Sequence, residues 1–262
     1  MKPLGIPIAA GHISEVYAWE DATILKLFRP CFPPGWADYE ANLVRTVEKT
    51  GIRVPKVEGI VDIDGRRGIV YERITGPSMA EAINQNPLRA IFYARMLAKM
   101  HVELHRASGQ ELPSFRKQLV QSIQEARVLT ERQRQHALQL AEQLPDSDRL
   151  CHGDFHLSNI LLTRDGPVAI DWFCAGQGHP ASDLTRTFII LSRCGAPPAG
   201  MPSWQVRLGR ILISRGYLNE YRRQSPEVTR QLKTFLPVVA AAKLNDNIMP
   251  EQLEILKLVK NL

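Results

Sequence analysis

The hydrophobic pattern changes character along this chain. The first third reads as short apolar runs separated by turn residues, and most of the remainder reads as helices. Residues 4–10 are apolar, Gly11-His12-Ile13-Ser14-Glu15 interrupts them, and Val16-Tyr17-Ala18-Trp19 resumes. That predicts strand, turn, strand. Thr23-Ile24-Leu25-Lys26-Leu27-Phe28 predicts a third strand with one charge among apolar neighbours. Residues 36–49 follow at helical spacing, with Leu43, Val44 and Val47 on one face. Residues 57–61 and 68–72 flank Asp64-Gly65 and read as a hairpin. The pattern then breaks at Ile74-Thr75-Gly76-Pro77-Ser78.

Beyond the break, Asn86-Pro87 predicts a cap and a first-turn proline. The helix that follows runs to about residue 107 and carries Ile91, Ala94, Leu97, Ala98, His101 and Leu104 at helical spacing. Residues 115–144 contain two amphipathic stretches, and Thr130 with Gln133 forms a capping-box pattern. Residues 204–224, 228–244 and 250–260 also read as helices. Between these helices lies a second hairpin, Ile160-Leu161-Leu162 and Val168-Ala169-Ile170 around an Asp165-Gly166 turn. Its open end is expected to bring Asn159 close to Asp171. The chain has no internal repeat and no low-complexity linker.

Two groups of polar residues demand an explanation. A lysine inside an apolar strand costs free energy unless it is paired or reaches water. Glu40 precedes Leu43 and Val44 by three and four residues, so it shares their inward face and is the expected partner of Lys26. Glu48, near the helix end, suits a solvated role. The second group is Asp154, Asn159 and Asp171. Phosphoryl transfer from a nucleotide needs a base for the acceptor hydroxyl and hard oxygen ligands for magnesium, and these three side chains supply both.

The string His152-Gly153-Asp154-Phe155-His156-Leu157-Ser158-Asn159, with Ile170-Asp171-Trp172, resembles the catalytic core of the aminoglycoside phosphotransferase and choline kinase family. Gly176, Gly178, His179-Pro180 and Asp183-Leu184 continue the pattern. The resemblance implies an α+β, protein-kinase-like fold of two lobes, a small β-rich one over residues 1–75 and a larger, mainly helical one over 76–262. It implies an ATP- or GTP-dependent kinase of small molecules, with the nucleotide between the lobes. Asp154 would be the catalytic base, and Asn159 and Asp171 would hold Mg2+. Asp183 and His152 would support the catalytic loop. Nucleotide contacts would come from Gly11 and Ser14 in the first turn, from Lys26 with Glu40, and from Glu72 and Ile74 at the adenine edge. Protein kinases usually carry arginine where this chain has Gly153. The short interval from Asp171 to Asp183 also leaves no room for a regulated docking segment, so a small-molecule acceptor is expected.

Composition narrows this further. The chain has 262 residues, 44% of them hydrophobic, which suits a globular protein with a substantial core. It contains no apolar run long enough for a membrane span. Four cysteines without C-x-x-C spacing suit a reducing compartment, and a cytoplasmic protein is expected. The histidines lack metal-ligand spacing, and His152 and His156 read as loop-bracing hydrogen bonders. The two charge signs balance over residues 1–171, so the whole formal excess of +6 falls after Asp171. There basic residues outnumber acidic ones two to one. A pocket for polycationic aminoglycosides needs clustered carboxylates, so the expected acceptor is neutral, singly charged or anionic. Two other readings compete. A kinase-fold module without turnover is one, although Lys26, Asp154, Asn159 and Asp171 are all present. A nucleic-acid binder is the other, drawn from the pI of about 9.2 and from Arg207, Arg210, Arg215, Arg222 and Arg223. Those arginines lack interleaved aromatics, and a solvated helix face is the favoured reading.

Overall fold

The computed structural model describes residues 4–195, 200, 202–260 and 262. In chain order it begins with β1 (Ala9–Ala10), β2 (Ser14–Ala18), β3 (Thr23–Phe28), α1 (Gly35–Lys49), β4 (Val57–Ile63) and β5 (Arg66–Glu72). Next come α2 (Met79–Gln85), α3 (Ala90–Leu104), α4 (Phe115–Glu125) and α5 (Glu131–Gln143). Four short strands follow: β6 (Arg149–Cys151), β7 (Ile160–Thr163), β8 (Gly166–Ala169) and β9 (Gly176–Gly178). The chain ends with α6 (Pro180–Arg193), α7 (Ser203–Gln224), α8 (Pro226–Arg230), α9 (Leu232–Lys243) and α10 (Met249–Leu256). Two compact units result. One comprises Met1–Pro77 with Leu161–Phe173, and the other Ser78–Ile160 with Cys174–Leu262.

In the first unit, five antiparallel strands form a sheet in the order β1-β2-β3-β5-β4. β3 is the central strand, and Leu25, Lys26, Leu27 and Phe28 are all buried. Leu25 and Leu27 join Tyr17, Ile63 and Val70 on one face of the sheet. On the other, α1 packs against β3, β4 and β5 with Ala37, Glu40, Ala41, Val44 and Val47 buried. Leucine, isoleucine and valine suit a strand covered on both sides. The first strand is shorter than the pattern predicts: only Ala9 and Ala10 pair, and residues 5–10 are exposed. Pro7 has no N–H to give a ladder, and Ile6 before it is exposed.

The second unit is mainly helical. Its core gathers Phe115, Leu119 and Ile123 of α4, Ala137 and Ala141 of α5, Ile189 of α6, and Phe235, Val238 and Val239 of α9. The expected helix after Asn86 starts later, at Ala90, because Pro87–Arg89 forms a 3₁₀ turn and the Asn86 side chain makes no cap. The expected 228–244 helix is two helices, α8 and α9, with Pro237 inside the second. The Thr130–Gln133 capping box is present. The pattern left out two helices. α2 opens on a capping box of Ser78 with Glu81, and α6 opens on His179 with Pro180 in its first turn. α6 carries Thr185, Thr187, Ile189 and Ile190, β-branched residues of weak helix preference. It is buried on most of its sides. Among the described residues no helix is long and apolar enough to cross a membrane.

The α2 cap gives a direct check. The Ser78 hydroxyl accepts from the Glu81 N–H at 3.1 Å, and the Glu81 carboxylate takes the Ser78 N–H at 2.7 Å. Ser78→Ala should cost about 1 kcal/mol, a drop of about 2–4 °C in Tm for a chain of this size, read by calorimetry against the parent.

Candidate active site

The first unit assembles a lysine between two carboxylates. Lys26 Nζ lies 2.8 Å from both carboxylate oxygens of Glu40 and 2.8 Å from Oδ1 of Asp171. Lys26 is 7% exposed and Glu40 1%, so strand position alone does not carry this charge to water. Burial opposes the ammonium form of Lys26, but the two carboxylates outweigh it and raise its pKa. Burial and then the charge of Asp171 push Glu40 upward, against Lys26 and the Tyr71 hydroxyl, which donates at 3.0 Å. One ammonium thus faces two acids, and the cluster is short of positive charge. Asp171 is the more open of the two, its side chain 41% exposed. Its φ of 65° is left-handed, a conformation that aspartate tolerates better than bulkier residues. Phe173, two residues on, packs against Trp36 at 4.9 Å, Tyr39 at 5.7 Å and Phe28 at 6.2 Å, which ties this segment to the start of α1.

The first turn and the end of β5 complete this unit's share of the expected residues. Gly11 N–H donates to the Ser14 carbonyl at 2.8 Å, closing the turn, and Arg29 donates to the Gly11 carbonyl. Ser14 is buried as the first residue of β2, opposite Phe28. Glu72 ends β5 and pairs with Thr23. Ile74 lies just beyond, and its N–H meets no acceptor among the described residues.

In the second unit the chemistry centres on one buried carboxylate. Asp183 Oδ2 accepts the His152 N–H at 2.5 Å, and Oδ1 accepts the Gly153 N–H at 3.0 Å. His101 Nε2 and His105 Nε2 approach Oδ2 at 3.1 and 3.3 Å. Behind them the Tyr217 and Tyr221 hydroxyls sit 2.7 and 2.6 Å from Nδ1 of His101 and His105. Each tyrosine hydroxyl can therefore donate to an imidazole that in turn donates to Asp183. His101 on α3 and His105 at its C-cap are one turn apart, and Tyr217 and Tyr221 are one turn apart on α7, so the two relays run side by side. Sequence reading passed over His101 and His105 as lacking a metal pattern. The available signal was different: polar side chains spaced i,i+4 on the buried face of each of two helices.

This carboxylate and α6 together hold the loop that carries Asp154. Thr187 Oγ1 donates to the Phe155 carbonyl at 2.9 Å, and the Phe155 ring stacks on His101 at 4.2 Å. Gly153 has φ 80°, and a Cβ there would lie 2.4 Å from the Cys174 carbonyl oxygen. Asn159 Nδ2 donates to the backbone carbonyl of Asp154 at 3.0 Å and to its Oδ2 at 3.2 Å, which leaves Oδ1 as a free acceptor among the described residues. His156 Nε2 lies 3.4 Å from the same Oδ2, and its Nδ1 accepts from the Ser158 N–H. Burial works against the charge on Asp154, yet His156 first, then Arg186 and Lys243, hold its carboxyl well below the usual range. Asp154 is ionised at every ordinary pH. Arg186 pairs with Asp246 at 3.2 Å, and its Nε is buried without a partner among the described residues.

A scan against family models matches residues 5–210 to the phosphotransferase enzyme family. The chain belongs to that family. An uncharacterized protein of Deinococcus radiodurans is 26% identical to this phosphotransferase-family chain over 199 residues, 65% of the chain. The match spans 56% of that relative's own length. Solved structures give the fold, which is kinase-like. A thermostable mutant of aminoglycoside phosphotransferase APH(4)-Ia, in ternary complex with AMP-PNP and hygromycin B, matches with a TM-score of 0.68 at 14% identity, covering 98% of this chain and 91% of that one. An aminoglycoside-3'-phosphotransferase of type VIII matches with a TM-score of 0.59 at 20% identity over 94% and 91%. The amicoumacin kinase hAmiN, in complex with AMP-PNP, Ca2+ and Ami, gives 0.56 at 16% identity over 96% and 86%.

The buried relay sets a pH dependence. Burial lowers the His101 pKa to about 3 from an ordinary 6.5. Unfolded, this imidazole takes up a proton near pH 6.5, whereas folded it stays neutral far below that. Its contribution to stability is therefore complete above pH 6.5 and is lost as pH falls from there toward 3. One proton gives a slope of up to about 1.4 kcal/mol per pH unit. Urea unfolding between pH 6 and pH 4.5 should show this slope in the parent and a shallower one in His101→Asn. Parallel slopes would mean that His101 is charged in the folded state.

Proposed function

We propose that this chain transfers the γ-phosphoryl of ATP or GTP to a hydroxyl of a small molecule. The observation that carries the reading is the Lys26 ammonium held 2.8 Å from both Glu40 and Asp171. Such a lysine meets nucleotide phosphates, and its helical glutamate keeps it extended toward them. In this reading Gly11 and Ser14 cover the phosphates, and the strand end from Glu72 to Ile74 meets the adenine edge. The unpaired Ile74 N–H is the kind of donor a base edge requires.

The oxygen donors Asn159 Oδ1 and the Asp171 carboxylate fit magnesium, which takes hard oxygen ligands. Bound there, magnesium would neutralise charge on the phosphates, and it would also supply the positive charge that the Lys26 cluster lacks. Asp154 accepts the hydrogen bond of the acceptor hydroxyl. Its depressed pKa makes it a weak base, which suits a loose transition state in which little proton transfer is needed before the phosphoryl moves. Positioning is then its main task. The Asp183 relay keeps Asp154 in place, and Asn159 fixes its carboxylate from one side.

The basic excess after Asp171 favours an acceptor that is not a polycation. Kanamycin, neomycin and hygromycin should give turnover no faster than the acceptor-free hydrolysis of nucleotide. Efficient phosphorylation of any of them, near 10⁴ M⁻¹s⁻¹ or above on the usual enzyme scale of kcat/KM, would overturn that choice of acceptor.

Two measurements test the reaction itself. Mg-ATP or Mg-GTP at about ten times its Kd should stabilise the chain by about 1.4 kcal/mol, or about 3–5 °C in Tm. Asp171→Ala should remove the magnesium-dependent part, and an equal shift in EDTA would contradict the metal role. With an acceptor in hand from a panel of sugars, amino alcohols, nucleosides and hydroxy acids, Asp154→Asn should lower kcat by at least about 10²-fold while nucleotide affinity holds. Full turnover in that variant would sink the assignment of Asp154.

A further inference from the structure

α6, α7 and α10 enclose a groove of about 1160 Å³ in the second unit, and its wall is strongly basic. Six cationic side chains line it against one carboxylate, Glu254. That carboxylate is already engaged by Arg193 at 3.5 Å and by Lys257. Arg210 spends its guanidinium on the carbonyls of Arg193 and Gly195 at 3.3 and 2.6 Å. Arg207, Arg215 and Arg222 remain, and none of them makes a hydrogen bond or ion pair with any described residue.

The placement of these three is regular. Arg207, Ile211, Arg215, Leu218 and Arg222 recur every three to four residues of α7, so they form one stripe along the groove. Successive arginines are about two turns, or about 11 Å, apart. That exceeds the Debye length of about 8 Å in physiological salt, so the free protein tolerates the stripe at little cost. The buried side of the same helix carries Ser214, Tyr217 and Tyr221, so its orientation is fixed by packing and the arginines cannot turn inward. Three uncompensated guanidiniums at fixed spacing, with aliphatic side chains between them, complement an elongated molecule bearing several anionic groups.

We infer that this groove binds the acceptor, and that the acceptor is a small hydroxyl compound carrying two or more carboxylate or phosphate groups. The inference rests on the phosphotransferase reading for the word acceptor and on the groove alone for the charge. It gives the basic excess after Asp171 a role that a solvated face would not have. Guanidinium is suited to it because its planar donors meet carboxylate and phosphate oxygens two at a time.

The test is calorimetric binding to the full chain without metal or nucleotide, using citrate, glycerol phosphate, glycerol and kanamycin as probes. Citrate and glycerol phosphate should bind, citrate about five- to tenfold more tightly, since each added exposed ion pair contributes modestly. Glycerol and kanamycin should not bind. The triple variant Arg207→Ala, Arg215→Ala, Arg222→Ala should weaken citrate at least about tenfold. It should leave Tm unchanged within about 2 °C, because these exposed side chains support nothing else. The melting shift with magnesium nucleotide, measured on the same samples, separates the two ideas. If that shift is present while citrate binds no better than glycerol, or binds the triple variant as well as the parent, the groove assignment alone fails. If the shift is absent, the nucleotide reading fails whatever citrate does. A single-stranded oligonucleotide that binds more tightly than citrate, with a steep salt dependence, would overturn the small-molecule occupant in favour of nucleic acid.

Discussion

A single buried carboxylate organises the larger, helical unit of this molecule. Asp183 would be costly to desolvate as an ion without partners, and it receives four donors: two backbone N–H groups from the loop and two imidazoles from α3. The interaction is demanding in both directions. The loop residues His152 and Gly153 need an acceptor once they are buried, and the carboxylate needs those N–H groups to remain charged. Neither can be satisfied until α3, α6 and the loop have all packed. The Tyr217 and Tyr221 hydroxyls add α7 to the same requirement. A polar network that is fully satisfied in only one arrangement selects that arrangement more sharply than apolar packing does.

The Lys26 cluster in the other unit follows a different logic. Four donors satisfy the one carboxylate of Asp183, whereas the two acids around Lys26 share a single cation. The first arrangement holds structure. The second leaves charge unbalanced at a side chain that is 41% exposed, where a ligand can complete it. Lys26 meets Glu40, the partner expected from sequence, and also Asp171, a contact that sequence reading did not foresee; in the other unit Asn159 holds Asp154. The left-handed backbone at Asp171 fits the tendency of strained conformations to collect where function needs them.

Much of this was legible in the residues. A lysine amid Ile24, Leu25, Leu27 and Phe28 asks for a partner, and Glu40 on the inner face of α1 was the one in register. The loop string announced Asp154 and Asn159 through its order of residue types. Residues that act by sealing rather than by reacting were much harder to see. His101, His105, Tyr217 and Tyr221 come from helices more than a hundred positions apart, and nothing in either segment names the other. α6 escaped because its Thr and Ile content favours strand, and tertiary burial overrode that preference. Residues 4–10 failed in the opposite sense: an apolar run was read as a strand, but Pro7 and the exposure of residues 5–10 left only two residues paired.

Gly153 separates this chain from protein kinases by more than one side chain. Arginine at that position would need a backbone φ of 80°, which L-residues rarely adopt, and a Cβ 2.4 Å from the Cys174 carbonyl oxygen, which the backbone there does not allow. No codon change supplies that residue here unless the loop and the segment at Cys174 first move apart. The difference from protein kinases is thus written into the path of the main chain.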